Sequence, residues 1–362
     1  MEIYILLYLS IVFLGFFSDQ EIISIDKKTI IKPSILLFWF TCLLFLFSAI
    51  REGIGTDYYL YKDIYNSQVE NLYGLGWAYS LLSNFLRSIE FDYQFLIAIN
   101  SFIFLSIIYY VIKNFSYYNY ISLITLLGTY TYFTSYNTFR QMTSISIVLF
   151  ALILFSTHKK KIKGILMFSL SVGLHKSSFM FMPLFLLNYI KLSKVLFSTI
   201  MIVCLIAFFV IPESIKNELF YFVFKLNDFF YEKYYGSTFI IGEERGIANK
   251  LFFLFYWSIC MFLAAKNNVN KSNSGWIEQS FVFYFIVNSF LPYSGIVHRI
   301  SLFFELLLIV IIPKFISIQK SKQIRNIFKV AIIIIFFIRL IYVLLLNGGE
   351  VVPYKSILGF HY

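Results

Sequence analysis

Cys42-Leu43-Leu44-Phe45-Leu46-Phe47-Ser48-Ala49-Ile50 runs directly into Arg51-Glu52-Gly53-Ile54-Gly55-Thr56-Asp57-Tyr58-Tyr59. The first half is soluble in lipid, and the second sets a guanidinium, two carboxylates, two glycines and adjacent tyrosines at its mouth. Ionisable groups are costly beside hydrocarbon and persist there when they face water, a partner or a substrate. The junction reads as the end of a membrane span with polar chemistry at one surface.

Composition extends that reading to the whole chain. Of 362 residues, 59% are hydrophobic and 14% charged, and the mean hydropathy is +0.77. A soluble surface needs far more charge, so the expected fold class is an all-α, polytopic integral membrane protein. The net charge of +11 does not point to nucleic acid, because the lysines fall in short clusters between apolar runs, where positive charge sets topology. Cys42, Cys204 and Cys260 lie inside apolar runs without a CxxC pair or a histidine at ligand spacing, and read as small hydrophobes. Met1 to Phe17 has no basic n-region and no small-residue cleavage site, which reads as a retained first helix.

A span needs about 20 apolar residues. Candidates run from about 2 to 17, 33 to 50, 93 to 112, 119 to 136, 139 to 157, 195 to 211, 247 to 265, 277 to 292, 299 to 316 and 327 to 346. The basic clusters His158-Lys159-Lys160-Lys161-Ile162-Lys163, Lys314 to Lys329 and Lys27-Lys28 with Lys32 mark the cytoplasmic side. That assignment sends outward the Arg51 loop, the Thr134 to Arg140 turn, the loop at 212–246, the Pro292 to Arg299 turn and the C-terminal tail. Parity then requires Gly164 to Asn188 to leave and return, as two short helices meeting at Gly173-Leu174-His175-Lys176-Ser177-Ser178. Broken helices occur in membranes where the freed backbone lines a cavity or protein interior. Residues 74 to 90 fit a surface helix with Trp77, Leu81, Leu82, Phe85, Leu86 and Ile89 on its apolar side. The expectation is a single helical membrane domain over 1–362, with about twelve crossings and both termini outside. Its outward loops are 51–92, carrying the surface helix, and 212–246.

With sides assigned, unusual polar residues gather at the outer face: Arg51 and Asp57, Arg140-Gln141, His175-Lys176 and His298-Arg299. Glu305 follows His298 on the same helix face, about 10 Å deeper at 1.5 Å per residue. The pattern is a cation-rich bowl suited to an anionic ligand. Plainer readings stand beside it. Arg51 and Arg299 also fit as helix-end anchors, Asp57 as a cap or turn residue, and His175 as a packed histidine. Glu305 and Arg339 fit a structural pair. Arg140 resists such a reading, since it opens a span whose small hydroxyls favour close helix packing. Most aromatic residues serve packing and interface belts, while Tyr58, Tyr132, Tyr136, Tyr293 and Tyr354 are candidates to stack on sugar rings. No DxD-like carboxylate pair, Walker loop or Rossmann fingerprint is present, so an outward enzyme would need a donor already activated on a lipid. Glu243-Glu244-Arg245 reads as a solvated loop, and no metal is called for.

Arg51-x-Gly-x-Gly-Thr-Asp57-Tyr58-x-x-Tyr61, Phe139-Arg140-Gln141, Leu174-His175-Lys176-Ser177-Ser178, His298-Arg299 and Pro353-Tyr354-Lys355 together resemble the EpsG family of Wzy-like bacterial polysaccharide polymerases. The likeness runs from about residue 45 to 356 and rests on the order and spacing of short pieces. The resemblance implies a glycosyltransferase that joins oligosaccharide repeats carried on undecaprenyl pyrophosphate, at the outer face of the cytoplasmic membrane, into O-antigen, capsule or exopolysaccharide. It implies no cofactor. Its partners would be the lipid-linked oligosaccharides and membrane lipids, with a chain-length regulator and a flippase as candidate protein partners.

On that footing Arg140 and Arg299 are assigned to the pyrophosphates, with Asp57 or His175 as the base. Imidazole titrates nearest neutral pH, which favours His175. Arg51, Gly55, Thr56, Tyr58, Gln141, Lys176, His298 and Tyr354 are assigned to substrate binding. The rival readings are a lipid-linked oligosaccharide flippase, an O-antigen ligase and a glycan acyltransferase. A flippase would be expected to show internal pseudo-symmetry, which is not visible.

Overall fold

Long apolar runs become helices because lipid offers no water to satisfy backbone N–H and C=O groups. The computed structural model of the chain is accordingly all-α, with one isolated antiparallel bridge, Arg51 to Ser356, among the described residues. The structure describes residues 1–17, 35–67, 76–189, 192–225, 241–266 and 275–359. Lys27, Lys28 and Lys32, and parts of both expected outward loops, lie outside them.

The helices group into two compact units, residues 1–185 with 308–362, and residues 186–307. The first holds α1 (Glu2–Phe17), α2 (Ile35–Ala49), α3 (Tyr58–Ser67), α4 (Trp77–Ser88), α5 (Tyr93–Phe115), α6 (Asn119–Gly128), α7 (Thr131–Asn137), α8 (Phe139–Leu152), α9 (Lys161–Leu174) and α15 (Lys322–Leu345). A π-helical turn, Ile153–Thr157, continues α8, and a 3-10 helix, Lys176–Asn188, follows α9. The second holds α10 (Lys194–Val210), α11 (Glu213–Lys225), α12 (Ile247–Lys266) and α13 (Gly275–Phe290). The remaining helix, α14 (Gly295–Ser317), starts in the second unit and ends in the first.

Among the described residues, five helices are long and apolar enough to cross a bilayer: α5, α8 with its π turn, α12, α14 and α15. A sixth is reached if α10 and the first turns of α11, bent by 106°, form one broken span. The bend falls at Ile211-Pro212, where proline has no N–H to continue the helix. The protein is therefore a multi-pass membrane protein by its helices. α1, α2, α6 and the 3-10 helix are apolar but shorter, and the expected count of about twelve includes them.

Three details differ from expectation. The run from 119 to 136 is not one helix: Tyr130 adopts φ 67°, separating α6 from α7, and its hydroxyl donates to the Gly348 carbonyl at 2.7 Å. The loop at 212–246 carries α11. In α4, Trp77, Leu81, Phe85 and, just beyond, Ile89 face outward, whereas Leu86 turns inward with Ala78, Tyr79 and Ser83. Leu86 lies nine residues from Trp77, or 180° around at 100° per residue, so it cannot share the outward stripe.

The expected reversal near His175 is present. α9 runs back along α8, with Ser144 Oγ donating to the Ser171 carbonyl at 2.6 Å. The chain is extended at His175 and then descends as the 3-10 helix, bringing Phe185 against Phe155 and Phe168 at 5.2 and 5.0 Å between ring centroids. Both legs thus lie beside α8.

Candidate functional site

The polar segment after α2 is built around a buried guanidinium. Arg51 is 1% exposed. Its Nη1 donates to the Ser48 carbonyl at 2.7 Å and the Ser48 hydroxyl at 3.1 Å; Nη2 donates to the Tyr136 carbonyl at 3.3 Å, and the group lies 4.7 Å over the Tyr136 ring. A cation at the last carbonyls of a helix meets the negative end of its dipole. Burial pushes the Arg51 pKa down from its ordinary value. The residue is an internal cap joining α2 to α7, closed to an incoming ligand. Gln94 supports it by donating through Nε2 to the carbonyls of Ala49 and Arg51.

The C-terminal tail completes this junction. The Glu52 N–H donates to the Lys355 carbonyl at 3.0 Å and the Ile357 N–H to the Ile50 carbonyl at 3.0 Å. Gly55 has φ +102°, and a side chain there would run into Asn137 Oδ1 and the Tyr136 carbonyl. That carboxamide oxygen accepts the Thr56 N–H at 2.7 Å and Thr56 Oγ1–H at 3.3 Å. Gly349 lies against the Asn137 nitrogen. Asn137 therefore pins the Arg51 loop and the tail three residues before Arg140.

Four tyrosines named as candidates to stack on sugar are packed inside: Tyr58, Tyr132, Tyr136 and Tyr354. Tyr58 is 4% exposed and stands edge-on to Tyr59 and Tyr93; Tyr354 is 1% exposed, edge-on to Tyr4 and Phe47, with its hydroxyl donating to the Phe47 carbonyl at 3.1 Å. Tyr132 and Tyr136 pack edge-on to each other, and none of these four rings offers a face to a sugar. Burial raises the Tyr58 phenol and pushes that of Tyr354 up to about 12. On α3, Tyr59 is the exposed neighbour.

Arg140 is differently placed. Half-buried at the first turn of α8, it donates through Nη2 to Tyr61 Oη at 2.6 Å, and its Cζ lies 4.6 Å from the Tyr61 ring centroid and 4.9 Å from that of Tyr79. Its Nε is buried without a hydrogen bond. Among the described residues no carboxylate pairs with it; the ion pairs found there join Glu213 to Lys216 and Arg245. Tyr61, Tyr79 and Phe139 pack on one another beneath the guanidinium, within a hydrophobic cluster that includes Tyr58, Tyr93 and Leu174.

The helix break lies on the same side. Ser144, one turn below Arg140 on α8, meets Ser178 Oγ at 2.5 Å, and His175 Nδ1 meets Ser177 Oγ at 2.7 Å. Lys176 is exposed. α4 links the break to Arg140: a side chain at Gly173 would strike the Trp77 indole, and Tyr79 two residues on lies against Arg140. Asp57 opens α3, half-exposed, its carboxylate accepting from Thr56 Oγ1 at 3.4 Å. It shares a helix face with Tyr61, four residues on. Gln141 is buried in α8.

The structure thus brings Asp57, Arg140, His175 and Lys176 to one end of the first unit, with Gly55 and Thr56 in the adjoining turn. In the second unit, His298 is exposed and Arg299 half-buried at the start of α14. Arg245, expected in a solvated loop, is 6% exposed there, bound to Glu213 at 3.1 Å with its guanidinium 4.8 Å from the Phe208 ring centroid. Tyr79, Gln94 and Asn137 were not singled out in the sequence. Only Asn137 carries a usable signal, an amide three residues before an arginine that opens a helix.

The EpsG family model matches residues 34–356. The chain belongs to the EpsG family. No curated protein and no solved structure matches it. The match takes in every EpsG-like piece quoted above, from the Arg51 segment to Pro353-Tyr354-Lys355.

Proposed function

We propose that the protein is a membrane glycosyltransferase that polymerises undecaprenyl-pyrophosphate-linked oligosaccharide repeats into O-antigen, capsule or exopolysaccharide at the outer face of the bacterial cytoplasmic membrane. Family membership supports a place in polysaccharide biosynthesis. The observation that carries the enzymatic reading is Arg140, a guanidinium lying against two tyrosine rings with no carboxylate among the described residues to neutralise it. Such a group suits an anion, and guanidinium matches phosphate oxygens in a bidentate fork.

In the reaction, the bond from the anomeric carbon of the growing chain to pyrophosphate breaks as a bond to an acceptor hydroxyl of the next repeat forms. The acceptor proton passes to a base, and undecaprenyl pyrophosphate departs. Arg140 stabilises the charge gathering on the leaving group, with Lys176 adding charge from the helix break. Arg299 is assigned to the second pyrophosphate. Asp57, on the helix face of Tyr61, and His175, oriented by Ser177, are the two candidate bases. Arg51 holds the framework.

A deletion strain tests the class of activity through its lipid-linked glycans. Single repeats accumulating on the outer side are expected; accumulation on the inner side would make the protein a flippase, and unattached full-length polymer a ligase. Within the polymerase reading, Arg140→Ala should abolish polymer while the protein remains in the membrane, and Arg140→Lys, which loses the planar fork, should lower the rate about a hundredfold. Wild-type polymer from Arg140→Ala would remove the pyrophosphate assignment.

A further inference from the structure

We infer that Tyr61 is a positioning residue for Arg140, so that the segment from Arg51 to Tyr61 acts on the leaving pyrophosphate without touching it. The inference rests on the polymerase reading. It starts from an arginine with few constraints from its own helix: Arg140 is the second residue of α8, and a flexible side chain there has many rotamers. Two contacts select one. Tyr61 Oη accepts from Nη2 at 2.6 Å, and the Tyr61 and Tyr79 rings lie 4.6 and 4.9 Å from Cζ. Phe139 supports both rings, at 4.9 Å from Tyr61 and 6.3 Å from Tyr79 between centroids. With one N–H of Nη2 committed to the phenol, its second N–H and the Nη1 pair keep a fixed direction for phosphate oxygens.

The placement of Tyr61 depends in turn on the turn before it. α3 begins after Gly55 and Thr56, which are seated on Asn137 three residues before Arg140. The Tyr61 N–H donates to the Asp57 carbonyl at 3.1 Å, in the first turn of α3. The glycine-threonine-aspartate turn and Arg140 are thus tied at both ends of a short loop: through Asn137 at the backbone and through Tyr61 at the side chain. That arrangement accounts for a tyrosine four residues after the aspartate, a spacing that stacks both on one face of α3.

A double-mutant cycle tests the inference, with rates of polymerisation of lipid-linked repeats measured per molecule of membrane-embedded protein. Tyr61→Phe keeps the ring and removes the phenol, and should lower turnover tenfold or more, about the effect of a lost hydrogen bond to a charged group. Tyr61→Leu removes the ring as well and should cost more. In an Arg140→Lys background, Tyr61→Phe should add little further loss, because the geometry it protects is already gone. If Tyr61→Phe has wild-type turnover, or costs the same factor in both backgrounds, Tyr61 does not act through Arg140 and the inference fails while the role of Arg140 stands. If Arg140→Ala itself polymerises normally, the underlying reading fails instead. Normalising to embedded protein keeps the comparison decisive if a variant accumulates poorly.

Discussion

Arg51 and Arg140 show how two arginines at helix ends acquire opposite uses. Arg51 points both terminal nitrogens at main-chain carbonyls and a serine and is shut away, whereas half-buried Arg140 donates through Nη2 to Tyr61 and is held by rings; the Nε of each is buried without a hydrogen bond. The sequence places both at the polar end of a span, and the contacts show Arg51 closed off at the end of α2 and Arg140 half-buried against Tyr61 and Tyr79. It could not supply Tyr79 or Asn137, since partners 61 and 81 residues away from Arg140 and Thr56 are products of the fold. Gly55 is the residue on which this local geometry turns. At φ +102° an alanine would be strained, and its methyl would press on Asn137 Oδ1. Gly55→Ala should cost on the order of 1 to 3 kcal/mol and lower polymer output by displacing α3, whereas Gly246→Ala, with open space around it, should be neutral. Thermal stability of the purified protein together with polymer yield checks both, and a stable, fully active Gly55→Ala protein would mean that the turn tolerates displacement.

At the scale of elements, the helix break and the tail are the two devices that shape the site. The break was legible because parity demanded a reversal between lysine clusters, and Gly173 to Ser178 offered the place. Its depth was not legible. α9 has 14 residues, about 21 Å at 1.5 Å per residue, less than the roughly 30 Å of hydrocarbon, and Ser144–Ser178 sets the tip level with the first turns of α8. The hairpin therefore ends beside Arg140 rather than beyond it. The sequence reading assigns Tyr354 in the outward tail to substrate, yet the tail bridges to Arg51 and is anchored by that buried tyrosine. A ring 1% exposed that fills a gap between Tyr4 and Phe47 leaves a cavity when removed, so Tyr354→Ala should destabilise the protein by about 3 kcal/mol. Lys355, whose side chain is exposed, should tolerate alanine. Melting curves of the two variants would separate these roles; equal stability would show that the tail is not held by its tyrosine.

For the whole molecule, the decisive quantity is which membrane face the assembled site occupies. Within the first unit the contacts gather four segments at one end. The Arg51 loop meets the α7–α8 turn through Thr56 and Asn137 and meets the tail through the Arg51–Ser356 bridge, while Tyr4 at the start of α1 donates to the Val351 carbonyl at 3.1 Å. The cluster Lys159 to Lys163 lies at the opposite end of α8, about 28 Å away along 19 helical residues at 1.5 Å each. Lysine-rich loops tend to remain cytoplasmic, so the proposed reaction expects this end of the unit, opposite the lysine cluster, to face outward. Lys160, Lys176 and Lys355 are all exposed and serve as reporters once Cys42, Cys204 and Cys260 are replaced. In intact cells whose outer barriers admit the reagent, a membrane-impermeant maleimide should label Lys176→Cys and Lys355→Cys, and should reach Lys160→Cys only after the cytoplasmic membrane is opened. Labelling of Lys160→Cys from outside would invert the orientation and place Arg140 on the cytoplasmic face. A polymerase acting on externally displayed repeats could not work from there, so this measurement tests the topology and the proposed reaction at once.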